Sequence, residues 1–223
     1  MSRPMLPYPR THTGFSLVEL LVVISIILVS TAILFPVLAT ARRTSQRLLC
    51  LNNLHQLQTA VTLYVDDHEE QFPATTNNFL WQGRLWRPLL DAYVPTRACY
   101  WCPVDSTSRL KYDATSYAYL QTFFHDPRDI VPTNLGGYRT CTAPCRPQSL
   151  ADVAHPAEKI LIYEWFTNHE VPLRTMWEQT GPHMAVFVDG HVALLRQEGL
   201  LLNALSDRDP NWTTGGVGGK DVE

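Results

Sequence analysis

Five cysteines carry most of the reactive side-chain chemistry in this 223-residue sequence: Cys50, Cys99, Cys102, Cys141 and Cys145. Cys99-x-x-Cys102 and Cys141-x-x-x-Cys145 are close pairs of the kind that tetrahedral Zn²⁺ uses. The same residues suit disulfides in an oxidising envelope compartment. The disulfide reading is preferred, because the two pairs lie much further apart than in a compact zinc ribbon. An odd count leaves one thiol single or intermolecular when the chain is fully oxidised. A redox role for Cys99 and Cys102 would need a thioredoxin-like β-α context, which is not evident around Tyr100-Trp101 and Pro103. His183, Asp189 and His191 form a second group that could be drawn as metal ligands. Asp189-Gly190 reads better as a turn, with His191 opening one strand and His183 preceding the other, so no metal is expected there. Asp66-Asp67-His68-Glu69-Glu70 reads as a solvated helix end. The sequence holds no Gly-x-Ser-x-Gly elbow, no phosphate-cradling Gly-x-x-x-x-Gly-Lys and no His-Glu-x-x-His. No catalytic residues and no enzymatic activity are expected.

The elements that position these groups begin with an apolar run. From Leu20 through Ala41, 22 consecutive residues are uncharged. As a helix they would span about 33 Å, against about 30 Å for a hydrocarbon core. A secretory signal peptide has a shorter apolar region, and its small-residue cleavage site follows that region. Here the small residue, Gly14, precedes the run and is followed by Phe15-Ser16-Leu17-Val18-Glu19. Glu19 is costly in such a helix, less so near its end than at its centre. Serines inside the run can bond to their own backbone.

Beyond the apolar run the helix should continue. Leu51, Leu54, Leu57 or Gln58, Val61 and Val65 recur at three- and four-residue spacing, with Asn52, Asn53, Gln56 and Thr59 on the other face. One helix over about residues 16–69 is expected, fraying before Pro73. Residues 79–94 read as a short helix or helix pair, weakened by Pro88. Strands are expected over residues 116–124 and 159–165, with a long loop over 125–149. Met184 to Val188 and His191 to Leu195 form a hairpin about a type I′ turn at Asp189-Gly190, which needs φ > 0 at both positions. Its Val186, Val188, Val192 and Leu194 should share the face that covers the helix stripe. The glycines at 215–219 head a flexible tail.

Bulk properties set the frame. Removal of residues 1–14 takes away Arg3 and Arg10 and leaves 16 basic against 21 acidic residues, net −5. No basic domain suggests nucleic-acid binding. A hydrophobic content of 45% with six Trp and nine Tyr implies a packed core outside the membrane. The fold class expected is α+β: a long transmembrane and then amphipathic N-terminal helix, packed on a small antiparallel sheet head.

Gly14, Phe15, Glu19 and the in-helix Pro36 closely resemble the type IV pilin and type II secretion pseudopilin signal. A second resemblance, to a pseudopilin-like family abundant in planctomycetes and verrucomicrobia, runs from residue 14 to about 196. It rests on Cys50 to Leu57, Tyr64, Phe72-Pro73, Cys102-Pro103-Val104-Asp105, Ser116-Tyr117, and His183 with Phe187 to Val192. The family usually has a glycine-rich step after that first histidine, where this chain has Met184 and Ala185.

These resemblances imply a division of the chain into leader 1–14, transmembrane helix 15–41, amphipathic helix 42–70, head 71–206 and flexible tail 207–223. They imply cleavage after Gly14 by prepilin peptidase and methylation of Phe15. Glu19, with Pro36 in the same helix, would serve assembly, its carboxylate meeting the Phe15 ammonium of a neighbouring subunit. The partners implied are other pilin or pseudopilin subunits, an inner-membrane assembly platform and lipid. The protein would cross the inner membrane once, with its head in the periplasm. Related pseudopilins hold calcium in a C-terminal loop, but no cofactor is expected here, neither calcium nor zinc. Cys50 lies just above the membrane, and Cys102 lies in a loop expected to fold back on the helix, so a Cys50–Cys102 bridge is the favoured disulfide. Cys141 and Cys145 would pair together or involve Cys99. The alternatives are a signal-anchored protein that does not assemble, and a membrane-anchored metal- or redox-binding module.

Overall fold

The computed structural model describes residues 14–75, 85–105, 115–136, 140–166, 168–169 and 181–223. Two compact units divide the chain, Met1–Arg43 and Thr44–Glu223. Helix α1, Leu17–Asp67, contributes to both.

In the first unit α1 starts directly after Ser16. Ser16 N–H donates to Glu19 Oε2 at 2.9 Å, so the carboxylate three residues on occupies one of the donors that a helix start leaves open. Ser25 Oγ donates to Leu21 O at 2.7 Å and Thr40 Oγ1 to Pro36 O at 3.0 Å. Such back-bonds let hydroxyls sit in an apolar helix. Pro36 lies inside α1. The apolar side chains face outward, with Phe15 80% and Phe35 71% exposed. By length and composition α1 can cross a membrane.

In the second unit α1 buries Cys50, Leu54, Leu57, Ala60, Val61 and Val65. Leu51, expected at the start of that stripe, is only half-buried, and Cys50 takes the place. The helix does not fray. Glu69 and Glu70 turn left-handed, with φ 53° and 59°, and Glu70 N donates to Val65 O at 3.0 Å. Phe72 N then donates to Gln148 O at 2.9 Å, tying the exit to a distant segment. Of the helix expected over 79–94, residues 79–84 lie outside the described residues, and the rest contains α2, Arg87–Leu90. Pro88 sits in its first turn, where its missing N–H costs nothing.

Among the described residues six strands follow: β1 Tyr117–Tyr119, β2 Leu135–Gly136, β3 Thr140–Cys141, β4 Ile160–Glu164, β5 His183–Phe187 and β6 Val192–Leu195. β1, β4, β5 and β6 form one antiparallel sheet in that order, and β2 pairs with β3. β1 is shorter than the sequence predicts. The chain leaves the sheet at Leu120 and makes a 3₁₀ turn over Gln121–Phe123, which sets Phe123 against Phe72 with ring centroids 4.6 Å apart. The expected loop over 125–149 contains β2, β3 and 3₁₀ turns.

Two expectations for the last hairpin are corrected. The connection is a three-residue loop of Val188, Asp189 and Gly190: Gly190 N donates to Phe187 O, and Phe187 N to His191 O, both at 3.0 Å. Only Gly190 has positive φ, 94°, while Asp189 does not. This is a turn closed by a glycine bulge rather than a type I′ turn. The single buried face also fails. Every residue of β4 and β5 is buried, Val188 lies in the turn, and Leu194 is 39% exposed.

Both faces of the central strands are covered because the expected flexible tail belongs to the core. Trp212 is fully buried and Val217 1% exposed. Asn211 Nδ2 donates to Tyr163 Oη at 2.9 Å. The glycines reflect close packing. Gly216 has φ 62°, and a Cβ there would lie 2.7 Å from Pro127 Cγ. A glycine run is conformationally permissive, but here it lets backbone pass tight against a neighbour.

Candidate functional site

Two groupings could carry function, one in each unit. The first is Gly14, Phe15 and Glu19. Gly14 and Phe15 precede α1 and are exposed, so the peptide bond between them lies outside any element. Glu19 is held by its own chain through Ser16 N–H, a capping partner that an Ser-x-x-Glu pattern before an apolar run signals.

The second grouping surrounds a disulfide. Cys50 and Cys102 are bonded, with Cα atoms 5.3 Å apart and a sequence separation of 52. Closing a loop of that size removes roughly 4 kcal/mol of unfolded-state chain entropy in the simplest treatment. Glu164, at the end of β4, is fully buried beside it. Side chains alternate along a strand, so Glu164 points to the Cys50 side while Tyr163 points to Asn211. Glu164 Oε2 accepts from Met184 N at 3.2 Å, and Oε1 faces His169 Nε2 at 3.2 Å. His169 Nε2 is also 3.5 Å from Cys102 Sγ. Ligand-type atoms of Cys50, Cys102, Glu164 and His169 all lie within 4.8 Å of one another. Burial, and then the nearby Glu164, raise the Tyr117 phenol well above its ordinary value.

Cys99, Cys141 and Cys145 remain thiols. The expected pairing of Cys141 with Cys145, or of either with Cys99, does not form. Cys102 is committed to Cys50, which also dissolves the Cys99-x-x-Cys102 zinc or redox pair. Burial pushes the Cys99 thiol up to about 11 and raises Cys141 and Cys145 as well. Thiols so shifted are poor nucleophiles at neutral pH.

His183, Asp189, Gly190 and His191 do not converge. Asp189 Oδ1 accepts from His191 N at 3.1 Å and lies 2.7 Å from His191 Nδ1, at an exposed turn. The His191 ring stacks on Phe187 at 4.0 Å. His183, at the far end of β5, pairs with β4: its Nδ1 lies 2.9 Å from Glu164 O. Its burial holds the imidazole below its ordinary 6.5. Gly190 rests on α1, where Gln58 Nε2 donates to Val188 O at 3.3 Å. The acidic run at residues 66–70 is exposed.

Sequence reasoning missed a buried ion pair. Lys159 Nζ lies 3.3 Å from Asp221 Oδ2, with side chains 0% and 1% exposed. Lys159 also donates to Thr213 Oγ1 at 2.6 Å, and Ile160 N donates to Asp221 Oδ2 at 2.8 Å. Burial lowers the Lys159 ammonium and raises the Asp221 carboxyl. A lysine opening an apolar strand and an aspartate in a glycine-rich tail carry no shared local signal.

Residues 9–35 match the family model described as the prokaryotic N-terminal methylation motif. No curated protein matches the chain, and no solved structure does. The match covers Gly14, Phe15, Glu19 and most of the exposed apolar run, and the fold behind it is α+β with a four-stranded antiparallel sheet. The chain thus opens with the prokaryotic N-terminal methylation motif, as a type IV pilin-like protein does.

Proposed function

We propose that this protein is a pseudopilin or minor-pilin-like structural subunit of a type II secretion or type IV pilus-like envelope machine. Prepilin peptidase cuts after Gly14, and the new Phe15 amine is methylated. The mature chain crosses the inner membrane once, with its head in the periplasm. Subunits then leave the bilayer through an assembly platform and stack by their apolar helices. The observation that carries this reading is the methylation motif at the head of an apolar helix whose side chains are exposed among the described residues of their unit. Exposed apolar surface of that extent calls for lipid or for other copies. Glu19 lies at the start of the span, and in apolar surroundings a carboxylate is tolerated when a cation and good geometry meet it. The Phe15 ammonium of a neighbouring subunit supplies both.

One observation favours a second reading, a plain membrane tether. Glu19 already has work inside its own helix as the acceptor for Ser16 N–H. Glu19→Gln separates the two, because it keeps an acceptor for that N–H and removes the charge. Assembly through Glu19 predicts that both Glu19→Gln and Glu19→Ala insert and are processed but give no crosslinked multimers in native membranes. Multimers from Glu19→Gln at wild-type yield would leave Glu19 a helix cap only and favour the tether.

A further inference from the structure

We propose that the Cys50–Cys102 disulfide is the oxidised form of a four-ligand Zn²⁺ site completed by Glu164 and His169. Beside the bridge lies a fully buried carboxylate whose Oε1 has no hydrogen-bond donor among the described residues. A buried carboxylate normally gathers donors. Its near neighbour is instead His169 Nε2, which lies between that oxygen at 3.2 Å and Cys102 Sγ at 3.5 Å. Two sulfurs, an imidazole nitrogen and a carboxylate oxygen are a zinc donor set, and bonds of about 2.0–2.3 Å place tetrahedral ligands about 3.3–3.8 Å apart. The nitrogen–oxygen and nitrogen–sulfur spacings are already near that range. The two bonded sulfurs must part, and every other ligand pair already lies within 4.8 Å. Soft thiolates select against Ca²⁺ and Mg²⁺, which take oxygen ligands.

The chemistry balances simply. A chain leaves the ribosome with both cysteines as thiols, so the reduced site needs no reductant at that stage. In the oxidised protein, a dithiol donor delivers two electrons and two protons, the Sγ–Sγ bond breaks, and the donor leaves as its own disulfide. Zn²⁺ then binds both sulfurs as thiolates, and the two thiol protons pass to solvent. A disulfide-bearing oxidant reverses this: it takes the two electrons, the bridge reforms and the metal leaves. Either state clamps α1 to the Cys102 loop at the same place.

The test uses the full chain in detergent, either oxidised or reduced without oxygen by a phosphine that does not chelate. Zn²⁺ is titrated against a chromophoric chelator, and Co²⁺ serves as a spectroscopic stand-in. Expected are one Zn²⁺ per reduced chain, none per oxidised chain, and a thiolate-to-Co²⁺ charge-transfer band. His169→Ala should weaken binding by at least about tenfold, and binding should survive in a Cys99→Ser, Cys141→Ser, Cys145→Ser chain. Glu164→Gln is the riskier variant, being buried, so thermal melts of the reduced wild type with and without Zn²⁺ accompany it; the metal should raise the midpoint. Equal binding by oxidised and reduced chains would overturn the proposal. So would unchanged affinity in His169→Ala, or a reduced chain that neither binds Zn²⁺ nor gains stability from it.

Discussion

The two units place opposite kinds of group against solvent. Residues 14–43 turn Phe15, Leu17, Ile33 and Phe35 outward and satisfy Glu19 and the hydroxyls locally. Residues 44–223 turn charge inward: Lys159, Glu164 and Asp221 are 0–3% exposed, and His125 is fully buried. The first unit is an unfinished surface whose stability depends on what lies around it. The second buries a core of its own, and inside it Lys159 and Asp221 are tolerated because each meets the other and further polar partners. A change in the first should alter where the protein goes and what it joins, while a change in the second should alter whether it stays folded.

The hardest test of that contrast is Gly14→Glu. Processing after Gly14 predicts complete retention of residues 1–14, read as the intact mass of the membrane protein, with the head's unfolding curve unchanged. A mature N-terminus at Phe15 in this variant would break the assignment.

Next in size is Lys159→Met, which strands the Asp221 carboxylate. Removal of one partner from a buried pair costs roughly 3–5 kcal/mol, measurable as a lower denaturation midpoint of the detergent-solubilised chain. Addition of Asp221→Asn should return most of the loss. A Lys159→Met protein as stable as wild type would show that the head does not rely on this pair.

Acid should act on the head through its histidines. Burial holds His125 at about 4, against an ordinary 6.5, so below about 6.5 the unfolded chain takes up a proton that the folded chain refuses. Stability present above that value is lost as the pH falls toward about 4, by roughly 3 kcal/mol from this group. His183 is shifted the same way. Stability curves from pH 7 to 4.5 should be shallower for His125→Gln than for wild type, and parallel curves would remove His125 from the account.

The smallest effects belong to the hairpin. Gly190→Val places a β-branched residue at φ 94°, 3.4 Å from Gln58 Oε1, at a cost of roughly 1–3 kcal/mol. Asp189→Asn keeps an oxygen for His191 N–H and should cost under about 1 kcal/mol. A large loss in Asp189→Asn that tracks added chelator would mean that a metal sits at this turn.

Legibility followed the range of the interactions. Gly14, Phe15, Glu19 and the apolar run are consecutive, and the helix stripe repeats every three or four residues, so both could be read along the chain. Asp189-Gly190 announced a turn, because glycine at positive φ is a local requirement. Its loop length was not announced, since pairing of Phe187 with His191 depends on how β5 and β6 sit in the sheet. The packing of the tail is not legible in the sequence for the same reason. Five glycine and valine residues look permissive in isolation, and the neighbours the fold brings up, such as Pro127 beside Gly216, show why a side chain is excluded.

By itself the sequence determined the membrane-length helix, its processing signal and the antiparallel head, because hydrophobic period and turn chemistry act within a few residues. Tertiary structure alone decided which charges are buried, that Cys99, Cys141 and Cys145 stay thiols, and that Glu164 and His169 stand beside the expected Cys50–Cys102 bridge. Those outcomes join positions as far apart as Cys50 and His169, brought together by burial of the whole core rather than by any pattern that a stretch of chain can carry.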